Sequence, residues 1–202
     1  LRDEVTDARR QLPWHKVEAD YQFGGPDGDV TLAELFGDKS QLVIYHFMYG
    51  PGWEEGCKSC SFWADQYDSI STHIAARDLA LAVVSRAPWQ EFQSFKERMA
   101  WQFTWVSSAE STFNMYYHVS HPEGGEGEYN YHTTGVMEEM PGLSIFAKDD
   151  DGAIFHIFSC YSRGLDALNA TYQVLDLVPK GRDEQDLGFS MGWVRFDDEY
   201  ES

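Results

Sequence analysis

Two of the three cysteines, Cys57 and Cys60, enclose a lysine and a serine. Two thiols at this spacing suit reversible disulfide chemistry: one thiolate attacks a disulfide sulfur, and the second then displaces the mixed disulfide so formed. An apolar, β-prone run, Gln41 to Met48, precedes them, and a glycine- and proline-marked loop leads on to the cysteines. The segment behind them has helical apolar spacing, with Trp63, Tyr67, Ile70 and Ile74 on one face. Strand, loop, dithiol and helix in that order put a thiol at a helix N-terminus, where backbone N–H groups and the helix dipole favour the thiolate. Lys58 adds a cation beside Cys57, while Glu54 and Glu55 act in the opposite sense. On this reading Cys57 is the nucleophile and Cys60 the resolving thiol. The competing reading is a pair of inert buried cysteines, because the short motif has low specificity by itself.

The remaining chemical candidates are weaker. Trp53, four residues before Cys57, is either one wall of a substrate groove or a cap on the core. His46 lies in the strand leading to the site and reads first as a satisfied structural histidine. With two thiolates its imidazole would also suit copper or zinc, which is the metal-handling alternative. A structural zinc site would need a second ligand pair, and none is present, so no metal is assigned. Arg86 and Arg163 are the arginines to consider for a peroxidatic thiolate. Glu54 stands where such a cysteine would have threonine or serine three residues earlier, which ranks a thiol peroxidase behind dithiol exchange. Cys160 reads first as a small core residue, the common fate of a free cysteine, and a third redox thiol ranks behind that. No Gly-rich phosphate loop or nucleotide fingerprint occurs, so no cofactor is called for.

Several elements must position these groups. Residues 1–12 read as a polar helix. Residues up to 32 read as a β-hairpin around Gly24-Gly25-Pro26-Asp27-Gly28. Leu79 to Ser85 is a second buried strand, so a right-handed parallel crossover through the intervening helix is expected. Pro88 opens a helix with Phe92, Phe95 and Met99 on one side, and Gln102 to Ser107 is a short third strand. The stretch from His121 to Glu128 reads as an acidic, mobile loop. Met140-Pro141 then leads a strand, Gly142 to Ala147, and Asp149 to Gly152 turns it into a return strand, Ala153 to Ser159. A helix carrying Leu165, Leu168, Tyr172 and Leu175 follows. The polar tail, 182–202, carries Leu187, Phe189, Met191, Trp193, Val194 and Phe196, which pack back onto the body or onto a partner such as a second copy. The division expected is an N-terminal helix and hairpin extension (1–40), a core (41–180) and a tail (181–202).

The order β-α-β-α-β, loop, proline-led β-hairpin, α resembles the thioredoxin architecture: an α/β fold with a central mixed sheet flanked by helices. That resemblance implies a proline lying in space beside the dithiol, usually after a cis peptide bond, and Pro141 fills the place about eighty residues beyond the cysteines. It would orient the substrate backbone, with Trp53, Lys58 and Met140 as further substrate contacts. The stretches LPWHKVEADYQF, GPDGDVTLAELFGDKSQLVIYHFMYGPGWEEGCKSCSFWAD, LAVVSRAP, MAWQFTWVSS, EYNYH, PGLSIFAKDDDGAIFHIFSCYSRGLDALN and LDLVPKGRDE resemble the thioredoxin-like family of unknown function numbered 899. This covers the chain from about residue 12 onward. It implies a fold similar to thioredoxins and alkyl hydroperoxide reductase-like proteins. A proline is more often expected at position 58 and a hydroxyl residue at 160, where this chain has Lys58 and Cys160.

Composition narrows the partners. The chain of 202 residues carries 34 acidic and 15 basic residues, a net charge of −19, which argues against non-specific nucleic-acid binding. Its apolar runs are too short to span a bilayer, and no signal-peptide pattern opens it, so a cytoplasmic protein is expected. The acidic surface suits a salt-rich cytoplasm as well as an ordinary acidic protein. The partners expected are protein or small-molecule disulfides and thiols.

Overall fold

A computed structural model describes residues 1–122, 126–135 and 137–200. The elements in chain order are α1 (Arg2–Arg10), β1 (His15–Lys16), β2 (Gln22–Gly25), β3 (Gly28–Thr31), β4 (Gln41–His46), α2 (Lys58–Ala75), β5 (Leu79–Ser85), α3 (Trp89–Arg98) and β6 (Thr104–Ser107). They continue with α4 (Phe113–Tyr116), β7 (Glu126–Tyr129), β8 (His132–Gly135), β9 (Gly142–Lys148), β10 (Ile154–Tyr161) and α5 (Ala170–Leu175). Three short 3-10 helices add Glu34–Phe36, Ser162–Leu168 and Asp197–Glu199.

Eight strands form one mixed sheet in the order β1-β10-β9-β4-β5-β6-β2-β3. β4, β5 and β6 run parallel, joined by α2 and α3, while β9 lies antiparallel against β4. Both faces of β4 are covered, which is why it reads as a near-continuous apolar run. Side chains alternate across the sheet. Val43 and Tyr45 enter the core that holds Cys60, Trp63 and Tyr67 of α2. Leu42 and Ile44 enter a second core on the other face, with Phe113, Tyr117 and Phe146. The first core is crowded with aromatic rings: Phe92 stacks on Trp105 with centroids 4.5 Å apart, and Phe47 lies 4.8 Å from the same ring.

The N-terminal hairpin β2-β3 is present as expected, and it extends the main sheet through the pairing of Gly24 with Ser107. Three local expectations change. Ile70 is exposed, although Ile74 beyond it is partly buried against the core. The C-terminal helix divides into the 3-10 segment Ser162–Leu168 and α5, where Asn169 caps α5 through its side chain and Leu168 turns outward. Residues 126–135 form a two-stranded hairpin of their own, β7-β8, in the acidic stretch that lacked periodicity. The loop expected over His121 to Glu128 includes positions 123–125, which lie outside the described residues. No helix among the described residues is long and apolar enough to cross a membrane.

Candidate functional site

Cys57 is the N-cap of α2, in extended conformation, and its carbonyl accepts the first helical hydrogen bond, from the Ser61 N–H at 3.0 Å. Its own N–H donates to the Met48 carbonyl at 3.2 Å, so the loop from Tyr49 to Gly56 leaves β4 and returns to the strand end. Gly56 is needed for that return. A Cβ there would come within 2.6 Å of the Phe95 ring and 2.7 Å of the Phe47 ring. Cys60, one turn into α2, is 2 % exposed, and its carbonyl accepts from the Tyr45 hydroxyl at 3.3 Å.

The two thiols are free and unequal. Cys57 is partly accessible, and its pKa is lowered from the ordinary thiol value to about 7. The Cys60 thiol donating toward it is the main cause; burial opposes, and the Cys60 and Ser59 N–H groups and the Ser59 hydroxyl add to the lowering. The Cys60 pKa is raised, first by burial and then by its bond to the Cys57 sulfur. The lysine expected to help Cys57 is otherwise engaged: Lys58 Nζ pairs with Glu199 at 2.7 Å and lies 4.7 Å above the Phe196 ring. Glu55 is likewise paired, with Arg98.

Cys57 and Cys60 open onto a cavity of about 360 Å³ that Met140 and Pro141 also line. Four of the six residues singled out from the sequence therefore share one space. Trp53 and Lys58 do not line it. Trp53 packs beneath Gly50 and beside Tyr49, as a cap on the aromatic core. Among the described residues no peptide bond is cis, so Pro141 follows a trans bond, unlike the usual thioredoxin proline. Its carbonyl accepts from the Tyr129 hydroxyl at 2.6 Å, and the same hydroxyl accepts from the Ser162 N–H at 2.9 Å. Tyr129 thus joins the β7-β8 hairpin to the proline segment. Its sequence context carried no periodic signal.

The topology does not bring His46 to the two thiols, as the metal alternative required. His46 is 1 % exposed and stacks near Phe113 and Tyr117, on the sheet face opposite α2 and the dithiol. Its Nε2 hydrogen-bonds the Ser144 hydroxyl at 2.8 Å, and burial, with the nearby His156, lowers its pKa to about 3. Among the described residues no group of three or more His, Cys, Asp and Glu side chains is placed to hold a metal ion. Cys160 is half-buried, and burial pushes its pKa up to about 11, in keeping with a packing role. Arg86 pairs with the buried Glu139 and with Glu138, whereas Arg163 lies at the cavity rim beside Asp166.

A central parallel strand, a dithiol at the start of the next helix and an antiparallel strand led by a proline together define a thioredoxin-like fold. The chain belongs to DUF899, a family described as bacterial protein of unknown function, whose model matches residues 1–200. Among solved structures it is similar to the peroxidoxin BcpB from Mycobacterium tuberculosis, at 16 % identity and a TM-score of 0.53, over 81 % of this chain and 97 % of that one. It is also similar to a cysteine-to-serine mutant of Xanthomonas campestris peroxiredoxin Q, at 12 % identity and a TM-score of 0.54, over 82 % and 97 %. The Xanthomonas campestris bacterioferritin comigratory protein gives 13 % identity and a TM-score of 0.53, over 81 % and 98 %. At such identities these likenesses speak to the fold. No curated protein matches the sequence.

Proposed function

We propose that this protein is a thiol–disulfide oxidoreductase in which Cys57 attacks and Cys60 resolves. The observation that carries the reading is the inequality of the two thiols: an accessible Cys57 with a lowered pKa beside a buried Cys60 with a raised one. The Cys57 thiolate attacks one sulfur of a substrate disulfide, the substrate S–S bond breaks, and the first substrate thiolate leaves. That thiolate takes the Cys60 proton. The Cys60 thiolate then attacks Cys57 Sγ and releases the second substrate thiolate, which takes a proton from water. The substrate gains two electrons, and the protein dithiol becomes a disulfide. Met140 and Pro141, on the cavity wall beside the thiols, are the groups against which a substrate would lie.

The reading is tested by titrating the reduced protein with 4,4′-dithiodipyridine in a Cys160→Ser background and weighing the products. Two equivalents of thiopyridone and a Cys57–Cys60 disulfide are expected. Cys60→Ser should stop at a mixed disulfide with one equivalent, and Cys57→Ser should react slowly. Equal reactivity of the two cysteines, or no internal disulfide, would refute it.

A second reading, thiol peroxidase, is favoured by the similarity to the peroxiredoxin Q fold. It would use Cys57 as the peroxidatic thiol. Glu54 three residues earlier and the engagement of Arg86 by two glutamates weigh against it. Consumption of hydrogen peroxide by the reduced protein separates the two.

A further inference from the structure

The cavity over the dithiol has a wall whose chemistry selects among disulfides. Much of it is apolar: Met48, Met137, Met140 and Met191 contribute, with Trp63 and Phe189. Methionine side chains adapt to irregular apolar shapes, and a space of about 360 Å³ lies at the small end of the range for small-molecule sites. Four charged side chains also line it among the described residues, and each already has a partner. Asp166 accepts from Arg182 at 2.8 Å and lies 3.5 Å from Arg163. Arg182 is further paired with Asp176 at 2.7 Å. Glu184 accepts from the Tyr172 hydroxyl at 2.9 Å and the Trp193 indole at 2.6 Å. Glu184 has only neutral donors and keeps its negative charge, the exposed Arg163 shares Asp166 with Arg182, and the net charge of −19 disfavours the approach of anions.

The C-terminal tail adds a wall on one side of this partly open cavity. Phe189, Ser190 and Met191 form one wall, and the chain just beyond is pinned down. Val194 and Phe196 are buried, Glu199 pairs with Lys58, and Asp198 pairs with Arg98 at 2.7 Å. A disulfide carried on a folded protein would have to reach Cys57 past this segment on one side and past Met137 and Tyr129 on the other.

From this wall and its cover we infer that the cavity takes a small, uncharged, largely aliphatic disulfide and discriminates against both anionic disulfides and disulfides held in proteins. This rests on the dithiol reading of Cys57 and Cys60. The reaction is the two-electron reduction already described: the substrate S–S bond breaks, two substrate thiols are released and the Cys57–Cys60 bond forms. A single turnover draws its electrons from the reduced protein itself.

The test compares dipropyl disulfide, 4,4′-dithiodibutyrate and insulin as oxidants of the reduced protein. Each rate is divided by the rate of the same disulfide with dithiothreitol, which removes differences in intrinsic reactivity. The neutral disulfide should lead each of the others by about a hundredfold, because the butyrate carboxylates would lose water against an apolar wall and insulin must pass the tail. Met191→Glu, and independently the more exposed Met137→Glu, should reduce that lead at least about tenfold. Equal normalised rates for the three oxidants would overturn the substrate class while leaving the dithiol chemistry in place. A lead unchanged in both variants would overturn the role of this cavity. No reaction with any of the three would overturn the dithiol reading and this inference together.

Discussion

Lys58 Nζ lies 2.7 Å from a carboxylate oxygen of Glu199, although 141 positions separate the two residues. The cation next to the candidate nucleophile is therefore spent on the tail. Cys57 instead draws its acidity from the Cys60 thiol and the groups of the first helical turn. Lys58→Ala should leave the alkylation midpoint of Cys57 near 7, whereas Cys60→Ala should raise it by about one unit or more. Iodoacetamide rates measured against pH distinguish the two sources.

The same lowering makes the reduced protein's stability depend on pH. The folded pKa of Cys57 lies below its ordinary value, so the thiolate contributes fully above about pH 9. That contribution fades as pH falls through about 7. The stability advantage of the reduced wild type over Cys57→Ser should therefore grow between about pH 7 and pH 9. Urea unfolding under reducing conditions reads it.

Gly56 precedes the nucleophile where two buried phenyl rings leave no room for a methyl group. Gly56→Ala should cost about 1–3 kcal/mol, as overpacking does in a filled core. It should also slow Cys57 alkylation, because the loop can no longer bring Cys57 N–H to the Met48 carbonyl. A matched alanine at Gly52, with open space around it but a positive φ, should leave alkylation unchanged. Denaturant curves and alkylation rates together separate the effects.

His46 is held neutral by burial, with a folded pKa of about 3 against an ordinary 6.5. The unfolded chain takes up a proton below about pH 6.5 that the folded chain refuses, so acid destabilises the fold through this residue. The advantage of wild type over His46→Gln should shrink by up to about 1.4 kcal/mol per pH unit below that point. Disulfide reduction at pH 7 should be little affected, since the imidazole lies across the sheet from the dithiol.

Glu139 is 2 % exposed and accepts from Arg86 and from the Ser120 hydroxyl at 2.7 Å, with Met140 next in the chain. Removing the arginine strands a buried carboxylate. Arg86→Ala should cost about 3 kcal/mol, and adding Glu139→Gln should recover part of it. Thermal unfolding of the single and double variants measures both.

The sequence by itself determined the local elements and the dithiol. β5 runs from Leu79 to Ser85 as its apolar run indicates, and α2 begins directly behind Cys57. Such features follow from neighbouring residues: β-branched and apolar runs, turn formers, and two thiols one helical turn apart. Pro141 reached the cavity because the order of elements constrains where β9 must pair. The tertiary structure alone decided what lies around the dithiol. Lys58 was turned to the tail, Trp53 was laid as a cap on the core, His46 was carried to the far face, and Tyr129 and Met191 were brought to the cavity wall. Each depends on where a distant part of the chain returns, and no local propensity records that. Residues 189–199 flank the cavity onto which Cys57 opens, yet their apolar pattern names no surface. Only folding shows that the N-terminal end of α2 is the surface they cover.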